Sequence, residues 1–167
     1  MNYVIARWNK RQKRTEYSKP RKQKNFRIAG KSAVFEFDDD LEYEDFMFAA
    51  KHMNYSENIG LGGVLFAGNW VKIIAVISEL PKSRFSERFD RAVKKMAKEI
   101  DGKRVPVITV IGDSNKLKMH EVVNIMKDIV KICPADQRIN FGTSYDDSLK
   151  HTSVVIALES DANDNLQ

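Results

Sequence analysis

The pattern that most restricts the fold lies in the last third of the chain, where short apolar runs flank one amphipathic stretch. Val105–Ile111 is almost entirely apolar and short, which is typical of a central strand covered on both faces. Pro106 indicates that the strand begins there. Met119–Cys133 places apolar side chains at helical spacing. Two further runs follow that are interpreted as strands, Ile139–Phe141 and Ser153–Leu158. The first of them is expected to end at the glycine that follows it.

Upstream residues predict further strands and helices. Ala33–Phe37 alternates as a strand does, and Leu41–Met53 carries apolar residues at helical spacing behind several acids. Val71–Ile77 is rich in β-branched residues and is interpreted as a strand, but whether Val64–Leu80 forms a hairpin or a helix stays open. A basic amphipathic helix follows and ends at Gly102. We therefore expect an α/β fold of the two-layer α+β type, with a mixed β-sheet of four to six strands packed against two or three helices.

Charge divides the chain into an arm, a body and a tail. The first 32 residues contain eleven Lys or Arg against the single acid Glu16, whereas the remainder contains 17 basic and 22 acidic residues. Residues 1–31 are therefore assigned to a basic, largely disordered arm, in which only Met1–Trp8 has enough apolar side chains to dock as a strand. Residues 32–160 are assigned to a single α/β domain, and residues 161–167 to a polar tail.

Several classes of protein are disfavoured by composition. No apolar run approaches the roughly 18 residues that span a bilayer, and basic residues interrupt any signal peptide. The single cysteine, Cys133, lies at an apolar helical position, which favours a buried thiol and a reducing, cytoplasmic setting. The three histidines lack the spacing of a zinc site. The acidic segment Asp38–Asp45 lacks the spacing of an EF-hand and is interpreted as solvated charge or a counterpart to the arm. We expect no metal, no cofactor and no catalytic constellation.

Five short motifs of the C-terminal region occur in an order that is known from one protein family. They are Val107–Gly112, Glu121-Val122, Ile139–Gly142, Asp146–Lys150 and Val154–Ala157. With these motifs, the chain resembles the C-terminal domain of FtsZ, the tubulin-like cell-division GTPase, over roughly residues 104–159. The resemblance implies a mixed sheet crossed by a helix, and a protein partner that is either a tubulin-like filament or another copy of the chain.

The chain departs from this family at the positions that would carry catalysis. The glycine-threonine-glycine loop that holds GTP in the family has no counterpart, because Gly60–Gly63 lacks a hydroxyl neighbour and a lysine. Asp45 and Phe46 are similar to the aspartate-phenylalanine pair of the family's catalytic loop, but Phe48 stands in place of its second acid and cannot polarise a water. The resemblance therefore implies a non-catalytic, partner-binding module without the GTPase domain.

Two groups of contact residues are expected. The helix and the turn that match the family are expected to bind the protein partner through Lys118, Glu121, Asp146, Asp147 and Lys150. The alternative for the two aspartates is turn chemistry alone, with side-chain to backbone hydrogen bonds. The arm is expected to make its contacts through Arg7, Lys10, Arg11, Lys13, Arg14, Arg21, Lys22 and Lys24.

The sequence supports two functions. The first is a non-catalytic module that resembles the FtsZ C-terminal domain, binds a tubulin-like filament or self-associates, and modulates assembly or cell division. The alternative is a small basic nucleic-acid-binding protein whose arm contacts phosphates while its aromatic residues stack on bases. The same arm is equally suited to an anionic membrane surface. Deletion of residues 1–31 is expected to abolish such binding and leave the body folded.

Overall fold

The computed structural model describes residues 2–9, 11, 14–18, 32–54, 69–78, 82–100 and 104–161, which form seven strands and three helices. The strands are β1 (Asn2–Asn9), β2 (Arg14–Ser18), β3 (Ser32–Phe37), β4 (Asn69–Ser78), β5 (Val105–Gly112), β6 (Asn140–Tyr145) and β7 (Ser153–Asp161). The helices are α1 (Tyr43–Asn54), α2 (Lys82–Glu99) and α3 (Met119–Ile132). The β-branched run Val71–Ile77 is therefore a strand.

All seven strands belong to one mixed sheet in the order β2-β1-β3-β4-β7-β5-β6. The pairs β3–β4 and β5–β6 are parallel, and the other neighbours are antiparallel. The parallel pair β5–β6 is joined through α3, because parallel neighbours need a crossover connection. The predicted α/β fold with a mixed sheet is confirmed, with one strand more than the expected four to six.

Helices cover both faces of the sheet, so the fold has three layers where the sequence predicts two. On β7, Val155 and Ala157 pack in the cluster under α1, whereas Ile156 and Leu158 pack in the cluster under α2 and α3. The physical reason is the continuous apolar run in the central strands, since alternate side chains point to opposite faces and each face must be covered. Full burial of one such aliphatic side chain contributes about 1.5–3 kcal/mol.

Each helix buries the stripe that its periodicity predicts. In α1, Phe46, Ala49 and Met53 are fully buried against the sheet. In α2, Val93 occupies the equivalent inward position. Cys133 follows α3 and is buried in the same cluster, and this burial raises the pKa of its thiol. The predicted buried thiol is therefore confirmed.

The N-terminal residues take part in the sheet. β1 pairs with β3, and its alternate residues Val4 and Ala6 are buried under α1, so the expected docking of the first residues as a strand is confirmed. β2 pairs with β1 and adds Tyr17 to the same cluster, although residues 14–18 fall within the segment assigned to the arm. Residues 19–31 lie outside the described residues.

Two strands extend beyond their predicted ends. β6 does not end at Gly142 but continues to Tyr145, because its parallel pairing with β5 persists to that residue. β7 continues to Asp161, where it still pairs with β4. The proposed hairpin residues 64–68, the helix stop at Gly102 and the end of the tail lie outside the described residues.

Candidate protein-interaction site

One side of α3 exposes four apolar side chains. They are Met119, Val123, Met126 and Val130, hereafter the α3 stripe. Met119 is 74% exposed and Val130 is 58% exposed, whereas Val122 and Ile129 of the same helix are buried in the core. The periodicity of α3 therefore combines a core side with a second apolar side in contact with solvent. Large apolar groups grouped on a surface mark sites of interaction.

The strand next to α3 has an open edge. β6 is the last strand of the sheet, and β5 is its only partner among the described strands. As far as the described strands go, its outer N–H and C=O groups are available for pairing with another strand. Proteins usually protect such an edge with charge or proline, but Asn140–Tyr145 has neither. Tyr145 at the end of the strand is 56% exposed.

The loop between β5 and α3 is held by a turn around Asp113. Its carboxylate accepts the Asn115 N–H at 2.8 Å, and its carbonyl accepts the N–H groups of Lys116 and Leu117 at 3.0 and 2.8 Å. This turn packs Leu117 on Gly112 so closely that a Cβ added to Gly112 would lie 3.0 Å from the Leu117 Cβ. The absence of a side chain at Gly112 thus determines how closely the start of α3 approaches the sheet.

Asp146 and Asp147 cap the turn between β6 and β7 and join it to this loop. Asp146 Oδ1 accepts the Ser148 N–H at 3.0 Å and also the Ser148 hydroxyl. Asp147 Oδ1 accepts the backbone N–H of Ser114 at 2.8 Å and its hydroxyl at 2.7 Å, which lowers the pKa of Asp147. The Asp146 N–H donates to the Gly112 carbonyl at 2.9 Å. Turn chemistry therefore engages both aspartates.

His52 links α1 to the acidic turn, a contact that the sequence analysis missed. Its Nε2 lies 2.8 Å from Asp146 Oδ2, and its Nδ1 lies 2.7 Å from the Phe48 carbonyl oxygen. Both neighbours are hydrogen-bond acceptors, and the tautomer of the ring decides which nitrogen donates. The Ser148 hydroxyl and His52 together lower the pKa of Asp146 to about 2. No local pattern indicates a contact between side chains that are 94 positions apart.

The other predicted partner-binding residues lie around the same loop. Glu121 accepts the Lys118 N–H through its Oε2 at 3.2 Å and donates its own N–H to the Lys118 carbonyl at 3.0 Å, which closes the first turn of α3. Both side chains are exposed, and so is Lys150. Lys118 directly precedes the α3 stripe. The role of all five residues in binding stays a prediction.

The predicted arm residues that fall within the described ranges lie on the β1–β2 hairpin. Arg7 is on β1, Arg14 is on β2, and the exposed Arg11 lies between the two strands. The hairpin forms the edge of the sheet opposite to β6. The remaining five residues lie outside the described ranges, namely Lys10, Lys13, Arg21, Lys22 and Lys24.

A second polar cluster surrounds Lys72 on the face that α2 covers. Its Nζ lies 2.9 Å from Glu99 Oε2, with angles outside hydrogen-bond geometry, and 3.8 and 3.9 Å from carboxylate oxygens of Asp38 and Glu36. Trp70 donates its indole N–H to Glu36 at 2.6 Å. Lys72 and Glu36 are both buried. This network ties the C-terminal end of α2 to β3 and β4.

The acidic segment that follows β3 faces α2 as well. Asp38 and Asp40 lie 3.0 and 3.7 Å from the Lys95 ammonium group. The hydrogen bond from Lys95 is the main cause that lowers the pKa of Asp38. These acids therefore pair with lysines of the body, which the sequence analysis did not anticipate.

The residues compared with the family's catalytic loop lie in α1. Asp45 is in its first turn, where burial and then Glu42 and Glu44 raise the pKa of its carboxyl. Phe46 is fully buried, with its ring centroid 4.6 Å from that of Phe37. Phe46 thus has a packing role, and its correspondence to the loop stays a prediction.

Within the described ranges, no three His, Cys, Asp or Glu side chains are grouped so that they could hold a metal ion. No helix in this part of the chain combines the length and the apolar character needed to cross a membrane. His120 and His151 are both exposed.

This chain is similar to known proteins in structure but not in sequence. No protein-family model matches it, and no curated protein matches it in sequence. Solved structures similar to it include a variant of FtsZ from M. jannaschii, with 19% identity, a TM-score of 0.47 and coverage of 70% of this chain and 38% of that chain.

Two further similar structures come from the same group of proteins. An FtsZ dimer from M. jannaschii has 16% identity, a TM-score of 0.37 and coverage of 72% and 31% of the two chains. CetZ from Methanosaeta thermophila strain DSM 6194 has 9% identity, a TM-score of 0.41 and coverage of 71% and 35%. This chain thus spans about a third of the length of its structural neighbours, which are the tubulin-like proteins FtsZ and CetZ.

Proposed function

We propose that this chain is a non-catalytic protein-interaction module that binds a tubulin-like filament or copies of itself, and thereby modulates assembly or cell division. The observation that carries the proposal is the α3 stripe beside the open edge of β6. Four apolar side chains and an unprotected strand edge form one surface, and burial of such a surface favours association. The buried Cys133 is compatible with a reducing cytoplasm, where we place this activity.

The polar residues near this surface also support a binding role over a catalytic one. Asp146 and Asp147 accept hydrogen bonds from Ser148 and Ser114, and His52 is held between Asp146 and a backbone carbonyl. These contacts stabilise the turn between β6 and β7 and its attachment to the loop before α3. A rigid turn beside an exposed apolar helix is a suitable framework for a binding surface.

Co-sedimentation with preformed FtsZ filaments tests the proposed binding to a tubulin-like filament. We expect the chain to pellet with filaments above its own background. Val130→Lys is expected to reduce pelleting, because it places a charge within the α3 stripe. Tyr43→Lys is the matched control, since Tyr43 is an exposed aromatic residue on α1 and lies outside this surface. A chain that neither pellets with filaments nor associates with itself at any concentration would show that the proposal is wrong.

A second candidate function, nucleic-acid binding, is favoured by the position of the basic hairpin. Arg7, Arg11 and Arg14 lie on or between β1 and β2, at the edge of the sheet far from β6. Basic residues on this edge hairpin are suited to contact phosphates, and such binding weakens steeply as salt rises. This surface is separate from the α3 stripe, so the two functions can be tested independently.

Charge substitution is a cleaner test of this candidate than deletion, because β1 contributes Val4 and Ala6 to the core. The variant Lys10→Gln/Arg11→Gln/Lys13→Gln is expected to lose affinity for double-stranded DNA at low salt and to show a shallower salt dependence. The control Lys127→Gln/Lys131→Gln removes exposed charge from α3 and should leave DNA affinity almost unchanged. Binding of vesicles with anionic lipid, but not of DNA, would instead assign the hairpin to a membrane surface.

A further inference from the structure

We infer that two copies of the chain form a two-fold dimer, in which β6 pairs antiparallel with β6 of the second copy and the two α3 stripes pack together. This inference rests on the proposed function and names one partner for the surface described there.

The two edges of the sheet differ in their protection against pairing. β2 carries Arg14 and Glu16, and charged residues on an edge strand oppose the addition of another strand. β6 carries no charged residue and no proline. The edge that is free to pair is therefore β6. When two identical edges pair antiparallel, both copies use the same surface in an isologous contact. This contact gives a closed dimer and no longer assembly.

The connection through α3 determines which way the stripe faces. α3 joins the parallel neighbours β5 and β6, and such crossovers are right-handed in about 98% of cases. Viewed along its axis from the N-terminus, a right-handed α-helix turns clockwise. In a right-handed crossover, this turn places the α3 stripe on the side of β6. It places Ile125 and Ile132 on the side of α2. The burial agrees with this placement, since Ile125 and Ile132 are partly buried in the cluster that includes α2, whereas the stripe is exposed.

Edge pairing would bring the two helices to packing distance. α3 covers β5 and β6, so its axis lies about one strand spacing, roughly 5 Å, from a two-fold axis at the outer edge of β6. The two α3 helices would then lie about 10 Å apart, and packed helices have interaxial distances of about 8–10 Å. The same pairing thus completes the hydrogen bonds of β6 and buries the α3 stripe.

The spacing of the stripe also suits a helix pair. Met119, Val123, Met126 and Val130 follow one another by four, three and four residues, which is the spacing of a coiled-coil seam. In an antiparallel pair, the centre of the seam falls between Val123 and Met126. Tyr145 lies on the same face of the sheet as α3, since it pairs with Gly112, on which Leu117 packs. Its exposed ring extends the apolar contact beyond the helix.

Sedimentation equilibrium of the full chain tests the inference. The wild type is expected to show a concentration-dependent monomer–dimer equilibrium. Val130→Lys and Tyr145→Lys are each expected to weaken the dimer by about tenfold or more, because each places a charge in an interface that is otherwise apolar. Both residues are exposed in the monomer, so the variants should fold, which circular dichroism checks. Tyr43→Lys should dimerise as the wild type does.

A cross-linking experiment reports the geometry directly. In a Cys133→Ser background, Met126→Cys is expected to give a covalent dimer with a short bismaleimide, because Met126 lies beside the two-fold axis. Tyr43→Cys in the same background should give no such product. A wild type that is monomeric at all concentrations overturns the dimer, and the FtsZ pelleting assay then still tests the proposed function. A dimer that persists in Val130→Lys/Tyr145→Lys overturns this interface but leaves self-association standing.

Discussion

At the scale of single residues, the contact between His52 and Asp146 illustrates how a polar pair joins distant parts of the chain. His52 is held on α1 by its bond to the Phe48 carbonyl, and Asp146 is held in its turn by Ser148. Neither side chain can move away without losing a second hydrogen bond. The pair therefore fixes α1 relative to the turn between β6 and β7.

The stability of the fold should depend on the ionisation of Asp146. Its pKa is lowered from 3.8 to about 2 in the folded protein, so its ionised form contributes stability above pH 3.8, and this contribution is lost as the pH falls towards 2. Asp146→Asn should reduce the free energy of unfolding at pH 7 by about 1 kcal/mol, because the turn keeps some of its solvent exposure. Urea unfolding from pH 7 to pH 2 measures both effects.

The acid-induced loss of stability should be smaller in Asp146→Asn than in the wild type. Asp128→Asn is the control, since Asp128 is exposed on α3 and lies 3.8 Å from the Lys131 ammonium group of the same helix. An unchanged acid dependence in Asp146→Asn would mean that the contacts of the Asp146 carboxylate with Ser148 and His52 do not stabilise the folded state.

Gly112 gives a second prediction at this scale. Gly112→Ala would place a Cβ 3.0 Å from the Leu117 Cβ, and the turn around Asp113 prevents Leu117 from moving aside. We expect a loss of stability of roughly 1–3 kcal/mol, as for other overpacked sites. Thermal unfolding measures it. The double variant Gly112→Ala/Leu117→Ala should show less than the sum of the two single losses, because the shorter side chain relieves the contacts with the Leu117 methyl groups.

At the scale of secondary-structure elements, the periodicity of apolar residues predicts that a helix forms. It does not predict which other elements pack around that helix. The apolar residues of α3 form one wide arc in sequence, and nothing local distinguishes Ile129, which is buried, from Met126, which is exposed. The difference depends on whether another element lies beside the helix. The same limit applies to β6, whose extension to Tyr145 follows from its pairing with β5.

Long-range pairs are the part of the site that a sequence conceals. The core strands, all three helices and the turn chemistry of Asp146 and Asp147 follow from local patterns. The partners of Lys72 do not, because Glu36 and Asp38 lie at the end of β3 and directly after it, whereas Glu99 lies at the end of α2. An isolated lysine within an apolar strand carries no indication of which carboxylates will surround it.

The network around Lys72 should be important for stability. Lys72→Met leaves the buried Glu36 with less compensation for its charge, and removal of one member of a buried ion pair typically costs about 3–5 kcal/mol. We expect a loss near the lower end of this range, because Trp70 still donates to Glu36. The side chain of Lys95 is 37% exposed, so Lys95→Met should lower the free energy of unfolding by less than about 1 kcal/mol. Denaturant unfolding of the two variants distinguishes these effects.

At the scale of the whole molecule, β1 makes the N-terminal segment part of the folded body. β1 covers the edge of β3 and buries Val4 and Ala6 beneath α1. This position explains why the N-terminus combines a basic composition with a few well-spaced apolar residues, since only the latter enter the core. The binding role proposed for the segment is therefore coupled to its structural role.

Deletion of residues 1–31 should consequently destabilise the body, contrary to the expectation from sequence. The truncated chain would expose the edge of β3 and lose part of the core under α1, so we expect a lower melting temperature and a greater tendency to aggregate. Circular dichroism melting and light scattering provide the measurements. The charge variant Lys10→Gln/Arg11→Gln/Lys13→Gln keeps the apolar residues of β1 and should melt close to the wild type.

The order of the strands sets the two ends of the sheet apart, with the basic hairpin at one end and β6 at the other. When two copies join through β6, the hairpins come to the extreme ends of a continuous platform about 60 Å across. With the nucleic-acid binding proposed for the hairpin, such a dimer would be divalent and would bridge two polymers or two sites on one polymer. Dissociation of the dimer would leave binding by each hairpin intact but would abolish bridging. The concentration of the protein alone would then decide whether it binds as a monomer or acts as a cross-linker.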